Sequence, residues 1–98
     1  MDELEPVALT LGPELTIVQA AETREQLLAW LAENPGPLSL DLGAVDEFDS
    51  AGVQLLLALQ ASLRERGQVL QLGRASQAVS AALRLYQLDS LLPGSEQP

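Results

Sequence analysis

The sequence contains no cysteine, no histidine and no lysine, and only 3% of it is aromatic. Each gap removes a class of chemistry. Without cysteine there is no disulfide framework, which is compatible with a reducing compartment. Without cysteine or histidine the usual zinc sites cannot be assembled. Without histidine or lysine a serine nucleophile lacks its ordinary activating base, and Schiff-base chemistry is ruled out. No glycine-rich phosphate loop with its lysine is present. No apolar run approaches the roughly 20 residues of a membrane span. The start, Met1-Asp2-Glu3-Leu4-Glu5, is acidic, opposite in sign to a secretory leader. The expected location is the cytoplasm, and neither an enzyme activity, a cofactor nor a metal is expected.

What the chain does have is acid and aliphatic side chain. Its net charge is −9, from 14 acidic residues and 5 basic ones, all arginine: Arg24, Arg64, Arg66, Arg74 and Arg84. Such a chain is repelled by nucleic-acid phosphates and by anionic lipid headgroups, so no nucleic-acid partner and no direct membrane insertion are expected. Its 98 residues suit a single domain over 1–98, ordered over about 5–92, with a polar tail at 93–98. The apolar fraction, 47%, is ordinary, and with so few aromatics the core must be built from Leu, Ala and Val.

The periodicity predicts alternating strands and helices. Val7–Leu11 alternates as a strand, Gly12-Pro13 marks a turn, and Glu14–Val18 reads as a second strand closing an antiparallel hairpin. From Ala20 to Glu33 the period becomes helical, with Leu27, Leu28, Trp30 and Leu31 on one face and a stop at Asn34-Pro35-Gly36-Pro37. Leu38–Leu42 alternates cleanly as a third strand, and an acidic loop, Gly43–Asp49, follows with Phe48 as its apolar plug. Ser50–Arg66 is the strongest helix, with Gly67 as its left-handed cap. Gln68–Leu72 reads as a fourth strand, and Ser76 caps a third helix carrying Val79, Leu83 and Tyr86. Leu88, Leu91 and Leu92 then tuck back onto the core. The predicted class is α/β: a mixed four-stranded sheet, the hairpin first and parallel strands after it, with three to four helices.

The chemistry concentrates where the third strand runs through the acidic loop into the second helix. Asp49 and Ser50 are both candidate N-caps, since each has an oxygen for the orphan helical N–H groups. Gly52 in the first turn costs up to about 1 kcal/mol relative to alanine, which calls for a compensating close approach of another backbone. The motif Asp49-Ser50-Ala51-Gly52, with Leu38–Leu42 before it and Leu55-Leu56-Leu57 after it, resembles the STAS domain family, and the resemblance extends over about Val7 to Leu92.

That resemblance implies a non-catalytic bacterial module of the anti-sigma-factor-antagonist type. In such members the serine of the motif is phosphorylated by a partner that is both serine kinase and anti-sigma factor. By position the acceptor is Ser50, and the implied docking surface is Asp46, Glu47, Asp49, Ser50, Ala51, Gly52 and Gln54. One position departs from the pattern. Many members carry an acid after the Glu-Leu of the first turn, where this chain has Thr16. Glu14-Leu15-Thr16-Ile17 together with Asp49–Leu55 looks more like STAS proteins encoded with chemotaxis or lipid-transport components. The alternative role is therefore constitutive binding to a chemotaxis component or to a transporter ATPase.

Plainer readings stand beside these. Ser50 also reads as a helix cap and nothing more. Asp41, Asp46, Glu47 and Asp49 suit a hard cation, but fit a solvated loop and a cap better. Arg74 follows the fourth strand, and parallel strands would carry it to the Ser50 end of the sheet. There it would pair with a phosphate or an acidic neighbour, or stand as a surface arginine.

Overall fold

The computed structural model describes residues 7–92. The expected tail at 93–98 and the expected start of order at residue 5 lie outside that range. The elements run β1 (Val7–Thr10), β2 (Glu14–Leu15), α1 (Ile17–Glu33), β3 (Leu38–Leu42), β4 (Glu47–Phe48), α2 (Ser50–Arg64), β5 (Gln71–Ala75), α3 (Gln77–Leu85) and a 3-10 turn at Asp89–Leu91. The central strand is β3, flanked by β1 and β5 in a three-stranded sheet in which both pairings are parallel. Its Leu38, Leu40 and Leu42 are fully buried, and they meet Leu27 and Leu31 of α1, Leu55, Leu56, Leu59 and Leu63 of α2, and Val79 and Leu83 of α3. Strand alternation then turns Ser39 and Asp41 to the opposite, polar face.

The expected mixed four-stranded sheet with its antiparallel hairpin does not form: among the described residues five strands divide between two wholly parallel sheets, of three strands and of two. β1 pairs in parallel with β3, and β2 pairs in parallel with β4 as a separate two-stranded ladder. Gly12, at φ 127°, offsets the chain without reversing it. Leu11 N–H still reaches the Asp41 carbonyl (3.1 Å), and the Pro13 carbonyl already accepts from Asp46 N–H (2.9 Å), so the chain follows β3 into the next loop. Ile17 and Val18, expected at the end of a strand, begin α1 instead. Thr16 stops the strand by capping: its N–H and hydroxyl both donate to Gln19 Oε1, at 3.1 and 2.8 Å.

The last strand begins three residues later than expected. Residues 66–68 are held against the end of α1: the Arg66 guanidinium donates to the carbonyls of Leu31 (2.8 Å), Asn34 (2.8 Å) and Gly36 (3.2 Å), and Gln68 Nε2 to that of Pro35 (2.7 Å). Gly67, at φ 76°, supplies the left-handed residue that ends α2, with Gln68 N–H bonded to the Leu63 carbonyl (2.9 Å). Within β5 the register slips once. Leu72 lies opposite Leu40 but Arg74 lies opposite Asp41, leaving Gly73 as the extra residue of a bulge. Without that slip Arg74 would fall opposite Leu42 on the apolar face.

The bulge sets Arg74 beside Asp41, the acidic neighbour foreseen as one of its possible partners, with Nη2 2.8 Å from Oδ2. The Arg74 hydrogen bonds, and then the Gly43 N–H, hold the Asp41 carboxyl below its ordinary value of 3.8. Because the folded value is depressed, the pair stabilises the fold above the ordinary carboxylate range, and the contribution fades as pH falls through the lower folded midpoint. An NMR titration of the Asp41 carboxyl is expected to show that lowered midpoint, and Arg74→Gln to move it back up. A midpoint indifferent to Arg74→Gln would remove the pair from the structure's electrostatics.

Candidate functional site

The end of β3 and the two-residue β4 bring the acidic loop to the start of α2. Asp46, Glu47, Asp49, Ser50 and Gln54 are exposed there, Ala51 is half-buried and Gly52 is buried. Of the two candidate caps the structure selects Asp49. Its Oδ1 accepts from Ala51 N–H at 2.9 Å, and its backbone carbonyl takes Gly52 N–H (2.9 Å) and Val53 N–H (3.2 Å). The other carboxylate oxygen does something the sequence did not suggest: Oδ2 accepts from Ile17 N–H, 3.2 Å away, at the first residue of α1. One carboxylate thus serves orphan donors of both long helices. Ser50 is left exposed, and its hydroxyl makes no hydrogen bond with any described residue.

Gly52 has the steric reason anticipated for it. A Cβ at this position would stand 2.5 Å from the Phe48 ring and 2.8 Å from the Leu15 carbonyl oxygen. The close approach therefore involves a backbone, that of β2, and the aromatic plug of the acidic loop. Phe48 is half-buried and packs on the core as expected.

The sequence reading missed two features. The first is a groove of about 550 Å³ between α1 and α2, walled by Ile17, Ala20 and Arg24 on one side and Ala51, Gln54 and Ala58 on the other. Ile17 and Val18 beside it are 75% and 79% exposed, large for aliphatic side chains. They went unnoticed because Leu15, Ile17 and Val18 read as a strand facing the core. The second is the placement of Glu14 beside Glu47 in the β2–β4 register, which adds a further acid to the rim. Among the described residues no group of three or more acids is arranged to hold a metal ion, and no helix is long and apolar enough to cross a membrane.

This arrangement, a short β4 leading through a capping aspartate to an exposed serine at the start of a helix, sits in a chain whose residues 2–93 match a family model described as Mlab, STAS domain. The chain belongs to the STAS domain family. The family suggested by the Asp49–Gly52 motif is thus the one found. Among solved structures, this STAS domain superposes on the anti-sigma factor antagonist SpoIIAA in its unphosphorylated form with a TM-score of 0.77 and 20% sequence identity, over 94% of this chain and 81% of that one. At that identity the likeness is one of fold. No curated protein matches by sequence.

Substitution of Gly52 tests the packing of the site. Alanine is favoured over glycine in a helix by about 1 kcal/mol, but overpacking against a ring and a carbonyl costs about 1–3 kcal/mol. The crowding wins, because the carbonyl cannot rotate away, which puts the overpacking cost at about 2–3 kcal/mol, the upper part of that range. Gly52→Ala is expected to lower the urea midpoint, for a net loss of about 1–2 kcal/mol. A midpoint that stays put or rises would mean that Phe48 and Leu15 are not so close.

Proposed function

We propose that this STAS domain is a non-catalytic regulatory module, a single domain over residues 1–98, which binds a protein partner through the start of α2 and is switched by phosphorylation of Ser50. The observation that carries this reading is the division of labour between Asp49 and Ser50. Asp49 does the capping, so the Ser50 hydroxyl is exposed and uncommitted and can be modified without loss of a structural bond. The proposed docking residues are Asp46, Glu47, Asp49, Ser50, Ala51, Gly52 and Gln54. Gly52 is buried, so its part is indirect: it lets Phe48 and the Leu15 carbonyl pack against the start of α2 that presents the others.

The physical effect of the modification follows from charge. A phosphate adds about 1.5 to 2 negative charges at pH 7. Helix N-termini tolerate anions, so the fold should survive. The added charge falls beside Asp49 in a rim that already holds Asp46 and Glu47. A partner seated there meets both the bulk and the repulsion, and loss of one well-desolvated polar contact costs roughly 2 kcal/mol or more, over tenfold in affinity. The proposed setting is the bacterial cytoplasm, and the proposed partner an anti-sigma factor with serine-kinase activity.

A second reading, a constitutive partner of a chemotaxis component or of a transporter ATPase, draws on Thr16. In place of an acid facing a partner, the chain has a threonine whose hydroxyl is spent on Gln19. A pull-down from host extract with wild type, Ser50→Ala and Ser50→Asp separates the two. The switch predicts the same partner on wild type and Ser50→Ala, with recovery on Ser50→Asp reduced at least tenfold. Equal recovery of that partner on all three would overturn the switch and favour the constitutive reading.

A further inference from the structure

Two of the five arginines converge on a second cavity, which shares no residue with the Ser50 site or the α1–α2 groove. It has a volume of about 500 Å³ and lies between the end of β5 and α3, lined by Gly43, Gly73, Arg74, Ser80, Arg84 and Leu92, with Ala75 in its wall. Ser80 and Arg84 are four residues apart on α3 and so share a helix face. Arg74 enters from the strand side, where the bulge at Gly73 puts it.

The donors there are only partly used. Arg74 spends Nε and Nη2 on Asp41, which fixes the plane of the guanidinium, while its Nη1 has no partner among the described residues. The Arg84 guanidinium and the Ser80 hydroxyl likewise have none. Gly43 leaves room for the Arg74 stem: a Cβ there would come within 3.3 Å of the Arg74 Cβ and Nε. Among the described residues no carboxylate lines the cavity. Asp41, hydrogen-bonded to Arg74 and to the Gly43 N–H of the lining, balances the Arg74 charge, and no described carboxylate pairs with Arg84.

The geometry points to an oxyanion-binding site of the phosphate class, held by Arg74 Nη1, the Arg84 guanidinium and the Ser80 hydroxyl. Three donor groups on two elements suit the several oxygens of a tetrahedral anion better than the two of a carboxylate, and arginine forks match phosphate in particular. The ion is free phosphate or the phosphoryl end of a small monoester, whose organic part would rest on Ala75 and Leu92.

The test is an NMR titration of the ¹⁵N-labelled chain with inorganic phosphate, a second with methyl phosphate, and a sodium chloride control at equal ionic strength. Saturable shifts at Gly43, Gly73, Ser80 and Arg84, with Ile17 and Ser50 unmoved, are expected. Arg84→Gln should weaken binding at least tenfold, and Ser80→Ala severalfold; both positions lie outside the core, and unchanged signals elsewhere verify the fold. Tighter binding of methyl phosphate identifies a monoester site, and tighter binding of inorganic phosphate a site for the free ion. Shifts no larger than those with chloride, or saturable shifts that survive both substitutions, would overturn the assignment.

Discussion

The carboxylate of Asp49 is the joint on which the candidate site of this molecule depends. Helices begin with unsatisfied N–H groups, and α1 and α2 begin side by side. One oxygen of Asp49 serves Ala51 of its own helix and the other serves Ile17 of the neighbouring one. The two helices therefore share a fixed starting line. The groove between them opens from that line, and Ser50 stands on it facing water. The buried Gly52, in the first turn of α2, lets Phe48 and the Leu15 carbonyl close over the start of that helix.

Two parts of the molecule are built to different ends. The leucine face of β3, covered by three helices, is apolar throughout, and no polar or charged side chain among the described residues is buried. The rim is charged in one sign. Glu14 and Glu47 lie side by side in register, an arrangement that costs stability on its own. The proposed phosphate on Ser50 would change the rim and leave the leucine face alone. That separation is what a binding switch needs: a surface whose charge can change while the fold beneath it does not.

What could be read from the sequence follows from how local the cause was. Leu38–Leu42 alternates so regularly that its bounds match the structure, and the start of α2 at Ser50 follows from the cap and the leucine run. The serine, its acidic neighbours and the need for space at Gly52 were visible for the same reason. The hairpin was misjudged because Leu15, Ile17 and Val18 carry strand-like side chains, while the deciding bond, Thr16 to Gln19, is a capping contact that strand periodicity hides. The final strand was misplaced because Arg66 and Gln68 are held by carbonyls more than 30 residues away in sequence. The bond from Asp49 to Ile17 is equally non-local, and nothing in either segment alone announces it.

That bond is also the most direct point of attack. If one carboxylate holds both helices, Asp49→Ala should speed amide hydrogen exchange at both Ile17 and Ala51 and leave Leu40 unmoved. A response at Ala51 with none at Ile17 would show that the helices start independently, and the shared platform for Ser50 would be lost.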